Sequence, residues 1–133
     1  MNVIAVATTI SKILYADDDS DDRHLLEESF VTNGLNADIV YATNGQEAIS
    51  YIEQAAESLP SLVILDLNMP KMNGKETLRY LKTHPRYQNI PVIILSTSEN
   101  KKEMDDCAAE GAASYFVKPQ HMRGYETIVS ACR

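Results

Sequence analysis

Five short apolar runs, each cut off by polar or turn-forming residues, constrain this chain more than any other feature. They lie at residues 13–16, 39–42, 62–65, 92–95 and 115–117. Leu62-Val63-Ile64-Leu65 is apolar throughout, the pattern of a strand covered on both faces. Segments with helical period alternate with these runs. Leu25, Leu26 and Phe30 form one stripe; Ala48, Ile49 and Ile52 a second; Leu78 and Leu81 a third. Met104, Cys107, Ala108 and Gly111 make a fourth, and Tyr125, Ile128, Val129 and Cys132 a fifth. Strands that alternate with helices imply right-handed crossovers and a doubly wound, five-stranded parallel α/β sheet with five helices.

The ends of these elements carry signals of their own. Ser20 is placed to cap the first helix. Asn44 with Glu47, and Asn73 with Glu76, have the spacing of a capping box. Gly34 and Gly111 stand where helices should stop. Residues 84–89 read as a polar surface loop. Residues 1–11 read as an N-terminal tail, and residues 12–133 as one domain, large enough to bury a core.

Charge and composition exclude several function classes. With 19 acidic and 12 basic residues the net charge is -7, which argues against binding nucleic acid phosphates. No run is long and apolar enough to span a membrane, and no secretory leader is recognisable. Cys107 and Cys132 lack metal-ligand spacing and read as reduced thiols of a cytoplasmic protein. His24, His84 and His121 also lack ligand spacing and read as incidental.

The strand ends are where chemistry concentrates. Ligands of open parallel sheets bind at the carboxyl edge. The first run ends in Asp17-Asp18-Asp19, the third in Asp66, the fourth in Ser96-Thr97-Ser98 and the fifth in Lys118-Pro119. Two carboxylates about 4 Å apart repel by roughly 4 kcal/mol at an effective dielectric near 20, so such an edge should attract a divalent cation. Mg2+ suits it, being satisfied by one or two carboxylates plus waters; Mn2+ is a possible substitute. A carboxylate such as Asp66 can become an aspartyl phosphate. Lys118 can hold phosphoryl oxygens as a compact charge, and Ser96 can donate a hydrogen bond to them.

These residues resemble, in order and approximate spacing, the motifs of the response-regulator receiver domains of two-component signalling. Ile13-Leu14-Tyr15-Ala16-Asp17-Asp18-Asp19 resembles that family's first strand and acidic pair. Asp66-Leu67-Asn68-Met69-Pro70 with Met72-Asn73-Gly74 resembles its phosphoacceptor loop. Residues 91–96 resemble its fourth strand, and Gly111-Ala112 with the run from Tyr115 to Lys118-Pro119 its last. The resemblance implies a flavodoxin-like strand order 2-1-3-4-5 and a single-domain, CheY-like switch. It implies Asp66 as the phosphorylated residue and Asp18 as a direct Mg2+ ligand. Asp17 would act largely through water, and the main-chain carbonyl of Asn68 would be a further ligand. It implies Ser96 and Tyr115 as a switch pair and a cis peptide between Lys118 and Pro119. Ser at position 96 departs from the commoner Thr, and Asp19 adds an acid whose part in the metal site stays open.

The implied donor is a histidine kinase or a His-containing phosphotransfer protein. No output domain is expected after the short last helix, so the signal would pass in trans to a downstream protein. A docking face formed by residues 100–111, the last strand and the final helix, and containing Lys101, Lys102, Met104 and Tyr115, is expected, on a monomer or weak dimer that catalyses only its own phosphorylation and dephosphorylation. Two other readings compete. Haloacid-dehalogenase-type phosphatases place a second Asp two residues after the nucleophile, where this chain has Asn68. A receiver-like interaction module that never needs phosphate would not require Asp17, Asp18, Asp66, Ser96 and Lys118 together.

Overall fold

The computed structural model describes residues 11–132. Residues 1–10, most of the segment read as a tail, lie outside the described residues. Strand β1 (Ser11–Ala16) leads to helix α1 (Ser20–Thr32), β2 (Ala37–Ala42) and α2 (Gly45–Gln54). Then come β3 (Leu62–Leu65), α3 (Gly74–Thr83), β4 (Val92–Ser96), α4 (Lys101–Ala109) and β5 (Ser114–Val117). A single 3-10 turn, Met122–Gly124, runs into α5 (Tyr125–Ala131). The sheet order is β2-β1-β3-β4-β5 and every pairing is parallel, as expected.

Alternation along the strands builds a core on each face. In β1, Leu14 and Ala16 join a cluster with Ile49 and Ile52 of α2, Leu78 and Leu81 of α3, and Cys107 of α4. Ile13 and Tyr15 point the other way, onto Leu26 and Phe30 of α1 and Tyr125, Ile128 and Val129 of α5. The central strands β3 and β4 are buried at every residue, whereas the edge strand β5 is half-buried throughout.

Some local expectations need correction. Asp19, not Ser20, caps α1: its backbone is extended, and its Oδ1 accepts from the amides of Asp21 and Asp22 at 2.9 and 3.3 Å. Ser20 is already the first helical residue. Asn44 caps α2, but Glu47 turns its carboxylate to the amide and hydroxyl of Thr43, so only half the box forms. In α4 only Cys107 is buried; Ala108 and Gly111 are exposed, because that helix lies beside the sheet edge. The polar loop at residues 84–89 is not all surface. Tyr87 is 4% exposed and stacks on His84 with ring centroids 4.0 Å apart.

The box on α3 closes fully. Asn73 accepts from the Glu76 amide and Glu76 accepts from the Asn73 amide, both at 2.9 Å. Asn73→Ala should therefore lower unfolding free energy by about 1 kcal/mol, read by denaturant melting. Glycine ends two helices as expected, with Gly34 at φ 71° and Gly111 at φ 102°. Among the described residues no helix is long and apolar enough to cross a membrane.

Candidate functional site

The parallel register carries the ends of β1 and β3 to the same height. Ala16 pairs with Leu65, so Asp17 and Asp66 leave the sheet side by side. The Asp66 amide donates to the Ala16 carbonyl at 3.0 Å and the Asp17 amide to the Ala42 carbonyl at 2.9 Å. These bonds continue the ladder one step beyond the strands and fix both carboxylates. Asp17 is 0% and Asp66 5% exposed, while Asp18 is open to solvent. One carboxylate oxygen from each of Asp17, Asp18 and Asp66 lies within 4.8 Å of the others. Asp19 is outside this group; its cap role uses its carboxylate.

Lys118, one residue past β5, crosses to this cluster. Its ammonium is 2.8 Å from Asp17 Oδ2, 2.7 Å from Asp22 Oδ2 and 3.1 Å from Asp66 Oδ2, and its side chain is 7% exposed. Burial would lower its pKa, but the hydrogen bonds and charges of Asp17, Asp22 and Asp66 outweigh this and hold it above the ordinary lysine value. Asp66 shifts the opposite way from a usual ion-paired acid. Burial first, then the neighbouring Asp17 charge, push it up to about 6 against the opposing pull of Lys118 and the Asn68 amide. Beneath the edge, the buried Tyr15 hydroxyl donates to Asp17 Oδ2 at 2.7 Å. Burial and the Asp17 charge raise the Tyr15 pKa, so the phenol stays a donor.

The loop after Asp66 is set by its own packing. Leu67 and Met69 are buried, and the Asn68 amide donates to Asp66 Oδ1 at 3.3 Å. Gly74, the first residue of α3, lies against the back of this loop: a Cβ there would sit 2.2 Å from the Asp66 carbonyl oxygen. The Gly74 amide donates to the Leu67 carbonyl at 3.1 Å.

Ser96 ends β4 fully buried, and its main-chain carbonyl accepts from the Lys118 amide at 2.7 Å. Its hydroxyl accepts from the Ser98 amide at 3.2 Å and, among the described residues, makes no hydrogen bond to Asp66. The Tyr115 hydroxyl donates to the Ser98 carbonyl at 2.8 Å. Both expected switch residues thus grip the same residue, and the Ser98 hydroxyl in turn bonds the Glu103 carboxylate of α4. Lys101 and Lys102 on α4 pair with Asp105 and Asp106 one turn on, exposed pairs of small energetic weight.

Of the residues expected from sequence, Asp17, Asp18, Asp66 and Lys118 come together; Ser96 and Tyr115 lie beside them but point to Ser98. The Lys118–Pro119 bond, expected cis, is trans, as is every peptide bond among the described residues. Trans is the favoured isomer before proline by about 0.5–1 kcal/mol, and Lys118 makes its three ion pairs in that form. Sequence reasoning missed Asp22 and Ser98. An acid in the first turn of a helix is favourable for reasons unrelated to a site, so Asp22 carries no signal of its own. Ser98 stands out only as part of the run Ser96-Thr97-Ser98, with no role of its own.

The family model of the response regulator receiver domain matches residues 13–130. The response regulator Rcp1 of Synechocystis sp. is 32% identical over 115 residues, covering 84% of this chain and 78% of that protein. The chemotaxis protein CheY1 of Helicobacter pylori is 31% identical over 108 residues, covering 81% of this chain and 85% of the relative. The crystal structure of the phosphorylated cyanobacterial phytochrome response regulator RcpA is similar in shape, with a TM-score of 0.84 at 30% identity; it covers 93% of this chain and 91% of its own. The Mn(2+)-bound form of Rcp1 gives 0.80 at 27% identity, covering 91% and 90%.

Proposed function

The chain belongs to the response-regulator receiver family of two-component signalling, and from that premise we propose that it is a phosphoacceptor switch centred on Asp66. A carboxylate oxygen of Asp66 attacks phosphorus as the bond from phosphorus to the donor breaks. The donor is a phosphohistidine of a histidine kinase or of a His-containing phosphotransfer protein. The observation that carries this reading is the convergence of Asp17, Asp18, Asp66 and Lys118 at one sheet edge, with Lys118 3.1 Å from Asp66.

The donor set fits a divalent cation such as Mg2+ or Mn2+. It consists of hard carboxylate oxygens, and Asp18 is open to water. Asp17, Asp18, Asp66 and the Asn68 carbonyl would hold the ion. When bound, it neutralises charge on the phosphoryl oxygens. Lys118 holds a phosphoryl oxygen from the other side. The Ser96 hydroxyl, now engaged with the Ser98 amide, turns to donate to the phosphoryl group. Its departure loosens Ser98, and Tyr115, which holds the Ser98 carbonyl, follows.

The change is read on α4, β5 and α5 by a downstream protein. Taking such a switch from 1:99 to 99:1 requires about 5.5 kcal/mol of differential interaction. A phosphoryl group bringing about -1.5 to -2 charges, with new partners in Ser96 and Lys118, is suited to supply much of it. Asn68 stands where a phosphatase of the competing type would carry its acid. On this reading the chain acts on its own Asp66 rather than on a substrate pool.

Incubation with a small phosphodonor and Mg2+ should give a protein heavier by one phosphoryl group, with the label mapped by mass spectrometry to Asp66. An unchanged mass, in folded protein with Mg2+ bound, would overturn the reading. Equal binding of a downstream protein by wild type and Asp66→Ala would instead favour a phosphate-independent interaction module.

A further inference from the structure

The Lys118 ammonium has three N–H donors and ion-pairs with three carboxylates, hydrogen-bonding those of Asp22 and Asp66. Two of the three, Asp17 and Asp66, belong to the group whose oxygens converge for a cation. On the reading of Asp66 as phosphoacceptor, both are drawn away from Lys118 when the site is loaded. Lys118, with a side chain only 7% exposed, is then left with the phosphoryl oxygen and one carboxylate, and a buried ammonium with too few partners is costly.

Asp22 is the third partner and differs from the other two. It stands on α1, outside the converging group, with 22% of its side chain exposed. Its hydrogen bond from Lys118, at 2.7 Å, is the shortest of the three contacts. Its backbone is fixed by the Asp19 cap, which accepts from the Asp22 amide. Neither a cation nor a phosphoryl group has a claim on its carboxylate.

We propose that Asp22 is a positioning residue for phosphoryl transfer: it anchors the Lys118 ammonium over the site while Asp17 and Asp66 are occupied. Lys118 then pivots on one fixed partner. One N–H stays on Asp22, and another moves from Asp66 to the incoming phosphoryl oxygen. The inference rests on the phosphoacceptor reading and deepens it.

Asp21 provides the control. It is exposed, carries the same charge one residue away, and contacts Lys118 in none of the described hydrogen bonds or ion pairs. A small phosphodonor keeps partner docking out of the measurement. Asp22→Asn should slow phosphorylation and weaken beryllofluoride binding by about 10-fold or more, the weight of one hydrogen bond between charged groups. Asp21→Asn should stay within about 2-fold, as a screened surface charge does. Asp22→Glu, which restores a carboxylate, should recover part of the loss and guards against misfolding of the Asn variant.

A second readout reports on the ammonium itself. In Mg2+ and beryllofluoride, the 15N-labelled Lys118 NH3+ signal should be sharp in wild type and Asp21→Asn, and broadened away by solvent exchange in Asp22→Asn. If wild type takes up phosphoryl group and beryllofluoride but Asp22→Asn matches Asp21→Asn in rate, affinity and NH3+ signal, this inference is overturned alone. If wild type takes up neither, the reading of Asp66 falls and this inference with it.

Discussion

Asp66→Asn is expected to be more stable than wild type in the absence of metal at neutral pH, and to take up no phosphoryl group. Burial and the adjacent Asp17 raise the Asp66 pKa from 3.8 to about 6 in the folded protein. Between those values the folded state holds a proton that the unfolded chain has lost. Stability therefore falls as pH rises from about 4 to 6, the reverse of an ordinary ion-paired carboxylate. Above pH 6 the folded protein carries the full cost of an ionised Asp66 beside Asp17. A shift of this size corresponds to about 2–3 kcal/mol. Asn keeps the shape and a hydrogen-bonding oxygen without the charge.

Chemical denaturation without metal, at pH 4 and pH 7, separates the two proteins. They should converge near pH 4 and diverge by about 2 kcal/mol at pH 7 in favour of the variant. Added Mg2+ should stabilise wild type more than Asp66→Asn, because the variant has lost both the repulsion and a ligand. A variant that melts earlier than wild type at pH 7 without metal would show that Lys118, not burial, dominates the Asp66 environment. Failure to phosphorylate needs no fine measurement, since the amide cannot form the acyl phosphate.

Gly74→Ala should be as severe by a different route. The added methyl would meet the Asp66 carbonyl oxygen at 2.2 Å, the Leu67 Cα at 2.8 Å and the Asp66 carbonyl carbon at 2.9 Å. All three are backbone atoms of the acceptor loop, which cannot swing aside as a side chain can. Either α3 lifts from the sheet or the loop carrying Asp66 moves. The expected cost is about 3 kcal/mol, at the high end for overpacking. Loss of Mg2+ affinity should accompany it, because Asp66 is displaced relative to Asp17. A variant with wild-type melting and Mg2+ titration would mean that the loop has more freedom than its packing implies.

The two cases differ in how far the sequence announced them. Asp66 was legible because it ends an apolar run where a charge is out of place, and strand ends of a parallel sheet share one edge. Gly74 could be read as a helix start after Asn73, but its close approach to the Asp66 carbonyl depends on how α3 returns to the sheet. The same division holds elsewhere. Asn73 and Glu76 form their box from a four-residue pattern. Tyr87 sits in a run of polar residues yet is buried, because the turn after α3 folds it back against the core.

The sequence by itself determined the strands and helices, the edge at which Asp17, Asp18, Asp66 and Lys118 meet, and so the kind of chemistry open to them. Apolar periodicity and turn residues act over a few positions, and the parallel crossover rule carries those local facts to a common edge. The tertiary structure alone decided which oxygens Lys118 touches. Its bond to Asp22 spans 96 positions, from the end of β5 to the first turn of α1. Such a contact depends on how a helix on one face of the sheet sits against the end of its edge strand, and no local pattern encodes that. The tertiary structure likewise brought Ser96 of β4 and Tyr115 of β5 onto the same residue, Ser98, the tyrosine from 17 positions away.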